Sequence, residues 1–491
     1  MSPLPASDHR TVPQPAPSGV SGGVTRTGPD ACPTALQVHA AADGGLARVR
    51  IPGGVITADQ ARVLARAARD LGDGHLDQTS RGNLQLRALP PGAEIELGAR
   101  LADAGLLPSA THERARNIVA SPLSGLDGAT LIDVRPLIDA LDRALLASPA
   151  LAALSGRFLF ALDDGRGDVA ALRADVCLAA TNTTEFALLL NGVDHGLRVP
   201  ITAGANSPAP AGANSSAPAE ANGPGPAEAN GPASAEATLS GGAQVAGVMV
   251  AAAEAFLAER AAQGSAGWRM SEIDQGADRV AARLGATVAA RLGATAAAVT
   301  PAWTPPDPPA GVITGATGAT ALAAIIPLGR ISATQLDLLA AVAAEGAGEL
   351  RCTPWRGVVI PGLPDAARLP ALAAAGLAVD KHSPWYGMTA CAGRPGCAKS
   401  RADVRADATT VALGLPQTAP GPLPVHWAGC ERGCGHPATP HVRVLAEPGG
   451  YRVDVPGRTP AVALTDPGRL AAAVAAARAA GTSNTAQETG A

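Results

Sequence analysis

Two lysines, Lys381 and Lys399, are all that a chain of 491 residues contains, and its aromatic residues amount to 2%. Cationic chemistry therefore falls to arginine, and the core has to be filled by aliphatic side chains. A strong excess of either charge is missing as well: the net charge is −4 and the pI near 6.2. That balance argues against general nucleic-acid or membrane-surface binding, because both ask for a basic face. No run approaches the roughly 18 apolar residues of a membrane span, and the N-terminus holds no apolar export segment. The expectation is a cytoplasmic protein. Neither a Walker loop nor a Gly-x-Gly-x-x-Gly fingerprint occurs, so no ATP or nicotinamide site is expected, and redox turnover would need an external electron donor.

Cysteine is scarce but clustered. Seven occur; Cys32, Cys177 and Cys352 are scattered, while Cys391, Cys397, Cys430 and Cys434 form two pairs about thirty residues apart. Five residues separate the first pair and three the second, whereas structural zinc sites keep both spacings at two to four. An iron–sulfur cluster suits the spacing better than zinc, and disulfides suit a reducing compartment poorly. Gly393, Pro395, Gly396 and Gly433 would hold the segments in tight loops whose N–H groups can face sulfur.

Read in order, the first 30 residues are rich in Pro, Ser, Gly and Thr and predict a disordered tail. Leu46–Ile51 alternates as a strand with Arg48 and Arg50 on one face, Gly53-Gly54 turns the chain, and Thr57 caps a helix from Ala58 to about Leu71. His75 to Arg87 reads as strand, loop and strand, with a helix around Glu94–Ala104 after it. The unit then returns. Ile51-Pro-Gly-Gly-Val-Ile-Thr-Ala-Asp-Gln60 is echoed by Ile326-Pro-Leu-Gly-Arg-Ile-Ser-Ala-Thr-Gln335, and Thr79-Ser-Arg-Gly82 by Thr353-Pro-Trp-Arg-Gly357. Between the copies an Ala/Pro/Asn/Ser/Glu tract predicts a linker, and Val245, Val248, Met249, Ala252 and Phe256 mark a helix over Ala243–Ala262.

Arginines beside glycines favour an anionic ligand. Arg81 and Arg87 flank Gly82-Asn83, Arg114 and Arg116 precede Asn117-Ile-Val, and Arg157, Arg356 and Arg394 are further candidates. Their planar forks suit carboxylates, although a single arginine is more often a solvated surface charge. His75, His112, His426 and His436 could ligate a metal or move protons, but no His-x-His or His-x3-His spacing supports a site.

The segments Thr79–Arg87, Arg116-Asn-Ile-Val, Thr353–Gly357 and the two cysteine pairs resemble the sulfite/nitrite reductase superfamily over residues 31–465. Thr389-Ala-Cys-Ala-Gly-Arg-Pro-Gly-Cys-Ala398 and Gly429-Cys-Glu-Arg-Gly-Cys-Gly-His-Pro437 are most similar to its precorrin-3B synthase family. The resemblance implies an α+β, internally duplicated fold, with two ferredoxin-like half-domains and two larger α+β modules around one tetrapyrrole. Its implied boundaries are a tail at 1–30, half-domain 31–110, clusterless module 111–201, linker 202–240, helical connection 241–305, half-domain 306–378, cluster module 379–480 and tail 481–491. Ser121 stands where the other copy has Cys391.

The same resemblance implies an O2-dependent monooxygenase of aerobic cobalamin biosynthesis that hydroxylates precorrin-3A at C20 and closes a γ-lactone. Its cofactors would be a [4Fe–4S] cluster on Cys391, Cys397, Cys430 and Cys434 and a mononuclear non-haem iron. Arg81, Arg116 and Arg157 match positions that hold tetrapyrrole carboxylates, and Arg87 joins them as a further fork. The alternatives are a sirohaem-dependent sulfite or nitrite reductase, or a non-catalytic iron–sulfur or tetrapyrrole-binding protein. Against the reductase, Arg157-Phe-Leu159 stands where those enzymes carry Lys-Phe-Lys.

Overall fold

The computed structural model describes residues 30–480 except 31, 202–232, 293–294, 297–302, 304–305, 316–317, 416–420, 422, 438 and 459–462. The expected tails, apart from Asp30, and the linker as far as residue 232 lie outside the described residues. The 202–240 boundary is corrected at its far end: helix runs from Ala233 to Ala262, as the alanine-rich sequence there favours.

The internal repeat is built as an exchange of strands. Each Ile-Pro-x-Gly segment makes one 3-10 turn, Pro52–Gly54 or Pro327–Gly329, through a left-handed residue, Gly53 (φ 63°) or Leu328 (φ 53°). The short strand that follows then leaves its own copy. Val55–Thr57 pairs antiparallel with Glu349–Cys352, and Arg330–Ser332 pairs antiparallel with His75–Gln78. One five-stranded sheet is thus ordered His39–Ala41, Gly44–Val49, Leu84–Leu89, His75–Gln78, Arg330–Ser332. The other is ordered Gly311–Thr314, Thr320–Ile325, Gly357–Leu363, Glu349–Cys352, Val55–Thr57. Each is completed by a strand of its twin.

Directly after the exchanged strands come the paired helices, Ala58–Leu71 and Ala333–Ala344. Thr57 and Ser332 cap them, each in a reciprocal box with Gln60 or Gln335, satisfying amides that the first turn leaves without partners. The two glutamine amides also donate to the carbonyls of Ala104 and Ala375, at 3.0 and 2.8 Å. Ala61, Leu64, Ala65 and Ala68 share one core with Leu336, Leu339 and Ala340. Apart from Leu64, the buried face of the first helix is made of alanines, and small residues let a second helix approach closely.

The larger modules repeat a second pattern. Ile118–Ala120, Phe160–Asp163 and Val176–Asn182 run parallel, and Glu185–Leu190 returns antiparallel. Met388–Ala390, Val425–Ala428 and Val442–Glu447 run parallel, and Gly450–Asp454 returns antiparallel. The first module adds Val193–Pro200 and Thr295–Ala296 at its edge. Its core gathers Phe158, Phe160, Phe186 and Phe256; the second module's centres on Trp427 and Tyr451.

Helix Gly241–Ala262 is long and apolar enough to cross a membrane by length and composition, against the expectation of no such run. Val245, Val248, Met249, Ala252 and Phe256 on it are buried in the first module's core. Its apolar face is already occupied.

Candidate functional site

Parallel neighbours send their C-terminal ends the same way, which is where α/β sheets build sites. Cys391 follows the Met388–Ala390 strand directly, and Cys430 lies two residues beyond the adjacent Val425–Ala428 strand. The loops are tied to each other. The Cys391 N–H donates to the Trp427 carbonyl at 2.9 Å, the Gly429 N–H to Cys391 Sγ at 3.2 Å, and the Arg401 N–H to the Gly429 carbonyl at 2.9 Å. Gly429 admits no side chain, since a Cβ there would stand 1.9 Å from Ser400 Oγ. Cys397 and Cys434 end their loops through turns closed on Gly393 and Gly433, both at positive φ. Burial, opposed by Arg432, raises the Cys434 thiol, and the charges of Cys391, Cys430 and Cys397 add to the rise. The other three thiols therefore lie within electrostatic reach of Cys434. Soft donors from two glycine-bearing loops, with an N–H already aimed at one sulfur, fit an iron–sulfur cluster.

Each cysteine loop is gripped by an arginine from a half-domain. Arg87, on the Leu84–Leu89 strand, forks onto Asp43 with two 2.9 Å bonds and donates to the Gly396 carbonyl at 2.6 Å. Arg356, from the Thr353–Gly357 loop, donates to the Gly435 carbonyl at 2.8 Å.

The N-terminal module carries oxygen where its twin carries sulfur. The Ser121 N–H bonds the Leu162 carbonyl at 3.0 Å, and the Asp164 N–H donates to Ser121 Oγ at 3.1 Å. The hydroxyl donates to Asp168 Oδ1 at 2.6 Å. Asp163 accepts the amides of Gly165, Gly167, Val169 and Ala170 at 2.8–3.0 Å, and Asp164 accepts Arg166 and Thr130. Burial and then Asp163 push the Asp168 carboxyl up to about 8.

A basic cluster gathers around the Thr79–Gly82 loop. Burial, then Arg269 and Arg48, bring the Arg81 guanidinium down to about 10; burial, then Arg48 and Arg81, bring Arg50 down to about 9. Arg50 donates to Asn117 Oδ1 at 2.8 Å and to the Gly156 carbonyl at 2.9 Å, and Asn83 joins the same Asn117 oxygen at 3.0 Å. Arg269 is paired with Asp175. Arg81 has no hydrogen-bond or ion-pair partner for its guanidinium among the described residues. Arg157 is exposed, its guanidinium 6.0 Å from the Trp268 ring, beside Arg269. Four mutually repelling cations with one fork open are relieved by an anion.

Two of the expected substrate arginines are corrected. Arg116 is buried, forked onto Asp142 with two 2.8 Å bonds, and donates to the Leu106 carbonyl. Arg87 is equally engaged by Asp43. All three side-chain nitrogens of Arg116 are engaged inside the protein, as are Nε and Nη2 of Arg87. Arg81 and Arg157 remain open, and Arg48, Arg50 and Arg269 join them. Arg48 and Arg50 were visible as one strand face; Arg269, 188 positions from Arg81, had no local signal.

The histidines separate too. His112 Nε2 bonds the Ser148 carbonyl, and His75 lies beside Asp73. His426 is buried against Thr389, and burial, with Arg356 next, lowers it to about 3. The rings of His436 and His441 lie 6.4 and 6.2 Å from that of His426. Among the described residues, the three donor groups that converge tightly enough for a single ion are Asp163, Asp164 and Asp168. Their oxygens already accept protein donors, so the residues present do not fit a mononuclear iron there.

Residues 39–104 and 309–378 match the nitrite/sulfite reductase ferredoxin-like half domain. A precorrin-3B synthase from Sinorhizobium sp is 26% identical over 449 residues, 90% of this chain and 85% of the relative. A ferredoxin–nitrite reductase from Synechococcus elongatus is 27% identical over 434 residues, 82% of this chain and 76% of the relative. The solved structure of the Mycobacterium tuberculosis NirA protein superimposes with a TM-score of 0.63 at 22% identity, over 86% of this chain and 76% of that one. With the half domain present twice, strands exchanged between the copies and similarity along nearly its whole length to these relatives, the chain has an internally duplicated sulfite/nitrite reductase-like fold.

Proposed function

We propose that the protein is an oxygen-dependent hydroxylase of a precorrin, converting precorrin-3A to precorrin-3B. Cys391, Cys397, Cys430 and Cys434 would hold a [4Fe–4S] cluster, which supplies single electrons from an external donor. The observation that supports the substrate class is the arginine cluster: Arg48, Arg50, Arg81 and Arg269 concentrate positive charge, and Arg81 has no ion-pair partner among the described residues. A polycarboxylate macrocycle answers that arrangement, with Arg81 and Arg157 taking peripheral carboxylates and Arg50 fixed by Asn117 beneath them. Hydroxylation at C20 balances as O2 plus two electrons and two protons, one oxygen entering the substrate and the other leaving as water. The oxygen adds at C20 and the ring A acetate oxygen bonds the neighbouring carbon, the π bond between the two carbons being consumed and the acetate's proton ending on the C20 hydroxyl, which gives the γ-lactone. No step is assigned to a mononuclear iron.

The comparable extent of similarity to a ferredoxin–nitrite reductase supports a second reading, a sirohaem-dependent reductase. The deciding experiment incubates the purified, cluster-containing protein with precorrin-3A and an electron donor, with and without O2, followed by mass analysis. A product one oxygen heavier, formed only with O2, is expected. Strong sirohaem absorption bands and reduction of nitrite or sulfite without hydroxylation would overturn the proposal in favour of the reductase.

A further inference from the structure

Arg356 is held where an arginine is costly to keep. Its φ is 61°, a left-handed conformation that side chains other than glycine enter at about 1 kcal/mol or more. It is buried, and its side chain passes over Gly329, where a Cβ would stand 2.4 Å from Arg356 Cδ. Gly435 receives it: a Cβ there would stand 3.1 Å from the Arg356 Nη2 that donates to the Gly435 carbonyl at 2.8 Å. Gly435 directly follows Cys434. The strained backbone and the two glycines deliver one guanidinium to one cysteine loop.

Arg87 does the corresponding work on the other loop with a different electrostatic result. Its Nη2 reaches the Gly396 carbonyl beside Cys397, but Asp43 cancels its charge through a fork of two 2.9 Å bonds. Arg356 has no carboxylate within ion-pair distance among the described residues. One clamp is neutral as a pair; the other is a buried cation with no ion-pair partner among the described residues, on which Arg405 and Asp77 act in opposite senses.

We propose that Arg356 sets the reduction potential of the cluster held by Cys391, Cys397, Cys430 and Cys434, while Arg87 only positions its loop. The inference rests on the cluster reading given under Proposed function. Reduction adds one negative charge to the cluster, and an adjacent uncompensated cation, with its dipole-aligning bond to the loop carbonyl, favours that reduced state. Arg356 is a positioning residue, acting through the Gly435 carbonyl beside Cys434.

The test uses the full chain, reconstituted anaerobically with iron and sulfide and titrated with dithionite while the cluster is followed by electron paramagnetic resonance. Iron and sulfide analysis of the wild type comes first, and its failure to hold four irons rejects the cluster reading itself. Arg356→Gln should lower the reduced-to-oxidised ratio at the wild-type midpoint about tenfold, a shift of roughly 59 mV to the negative for a one-electron couple. Arg356→Lys should stay nearer the wild type than Arg356→Gln does, and Arg87→Gln should move the midpoint less. Arg356→His makes the charge titratable, so its midpoint should rise as pH falls through the imidazole range near about 6.5, more than the wild type's does. A fully loaded Arg356→Gln at the wild-type midpoint overturns the proposal, as does a midpoint of Arg356→His no more pH-dependent than wild type. Loss of the cluster from all three Arg356 variants would also overturn it, making the residue a packing element.

Discussion

Ser121 and Cys391 are the same position seen twice. Each follows the first strand of its module, each N–H bonds the carbonyl of the neighbouring strand, and each side chain accepts an amide from the loop beyond that strand, at 3.1 Å for oxygen and 3.2 Å for sulfur. What differs is the chemistry around them. Beside Cys391 stand three more thiols; beside Ser121 stand Asp168, Asp164 and the Asp163 carboxylate with its four amide donors.

The oxygen site should be visible in the pH dependence of stability. The Asp168 carboxyl is raised to about 8 in the folded chain, above an unfolded value of about 3.9. Between those values the unfolded chain binds fewer protons, so this group's contribution to stability falls as pH rises through the window and is flat above it. Asp168→Asn keeps an acceptor for the Ser121 hydroxyl without the charge. Its melting temperature should gain on the wild type by a few degrees more at pH 8 than at pH 5; an equal offset at both would show that Asp168 ionises normally.

Arg116→Ala and Arg81→Ala should fail differently. Breaking the buried Arg116–Asp142 fork strands a carboxylate and should cost about 3–5 kcal/mol of stability. Arg81→Ala removes one of several repelling cations, so folding should be unharmed, while precorrin-3A binding weakens by about 1.5–3 kcal/mol, roughly ten- to a hundredfold. Denaturation and ligand titration of both variants check this, and a destabilised Arg81→Ala with unchanged binding would move the ligand elsewhere.

Single Cys→Ser changes at Cys391, Cys397, Cys430 and Cys434 should each lower bound iron and cluster absorbance. Cys177→Ser and Cys352→Ser should leave both intact, since those thiols are buried in sheet cores and held as neutral groups by burial. A complete cluster after any two of the four changes would reject the ligand set.

Gly429→Ala should separate the two cysteine loops, because its Cβ would fall 1.9 Å from Ser400 Oγ. The expected result is about 1–3 kcal/mol of overpacking cost and reduced cluster content. Adding Ser400→Gly should restore part of both; no loss in the single variant would mean that the loops are free to shift.

Local chemistry and repetition were readable in the linear chain. Thr57 and Ser332 cap their helices as their capping boxes require, the Val245–Phe256 spacing faces a core as helical periodicity dictates, and the duplicated Ile-Pro-x-Gly segments announced two copies. The cysteine pairs were equally plain, because spacing within a loop is a sequence property. Asp163-Asp-Gly-Arg-Gly-Asp168 was visible as a string but carried no reading, since its meaning depends on Ser121 from another strand.

Tertiary structure decided what spacing cannot encode. The strand exchange is a choice of partner between two near-identical sheets, and pattern alone is satisfied by either. The open or closed state of each arginine depended on apposition across the fold: Asp43 lies 44 residues from Arg87 and Asp142 lies 26 from Arg116, yet each closes a fork. Arg81 found no such partner. Charge type is written in the sequence, but whether that charge is neutralised is set by which carboxylate the folded chain brings within hydrogen-bond reach.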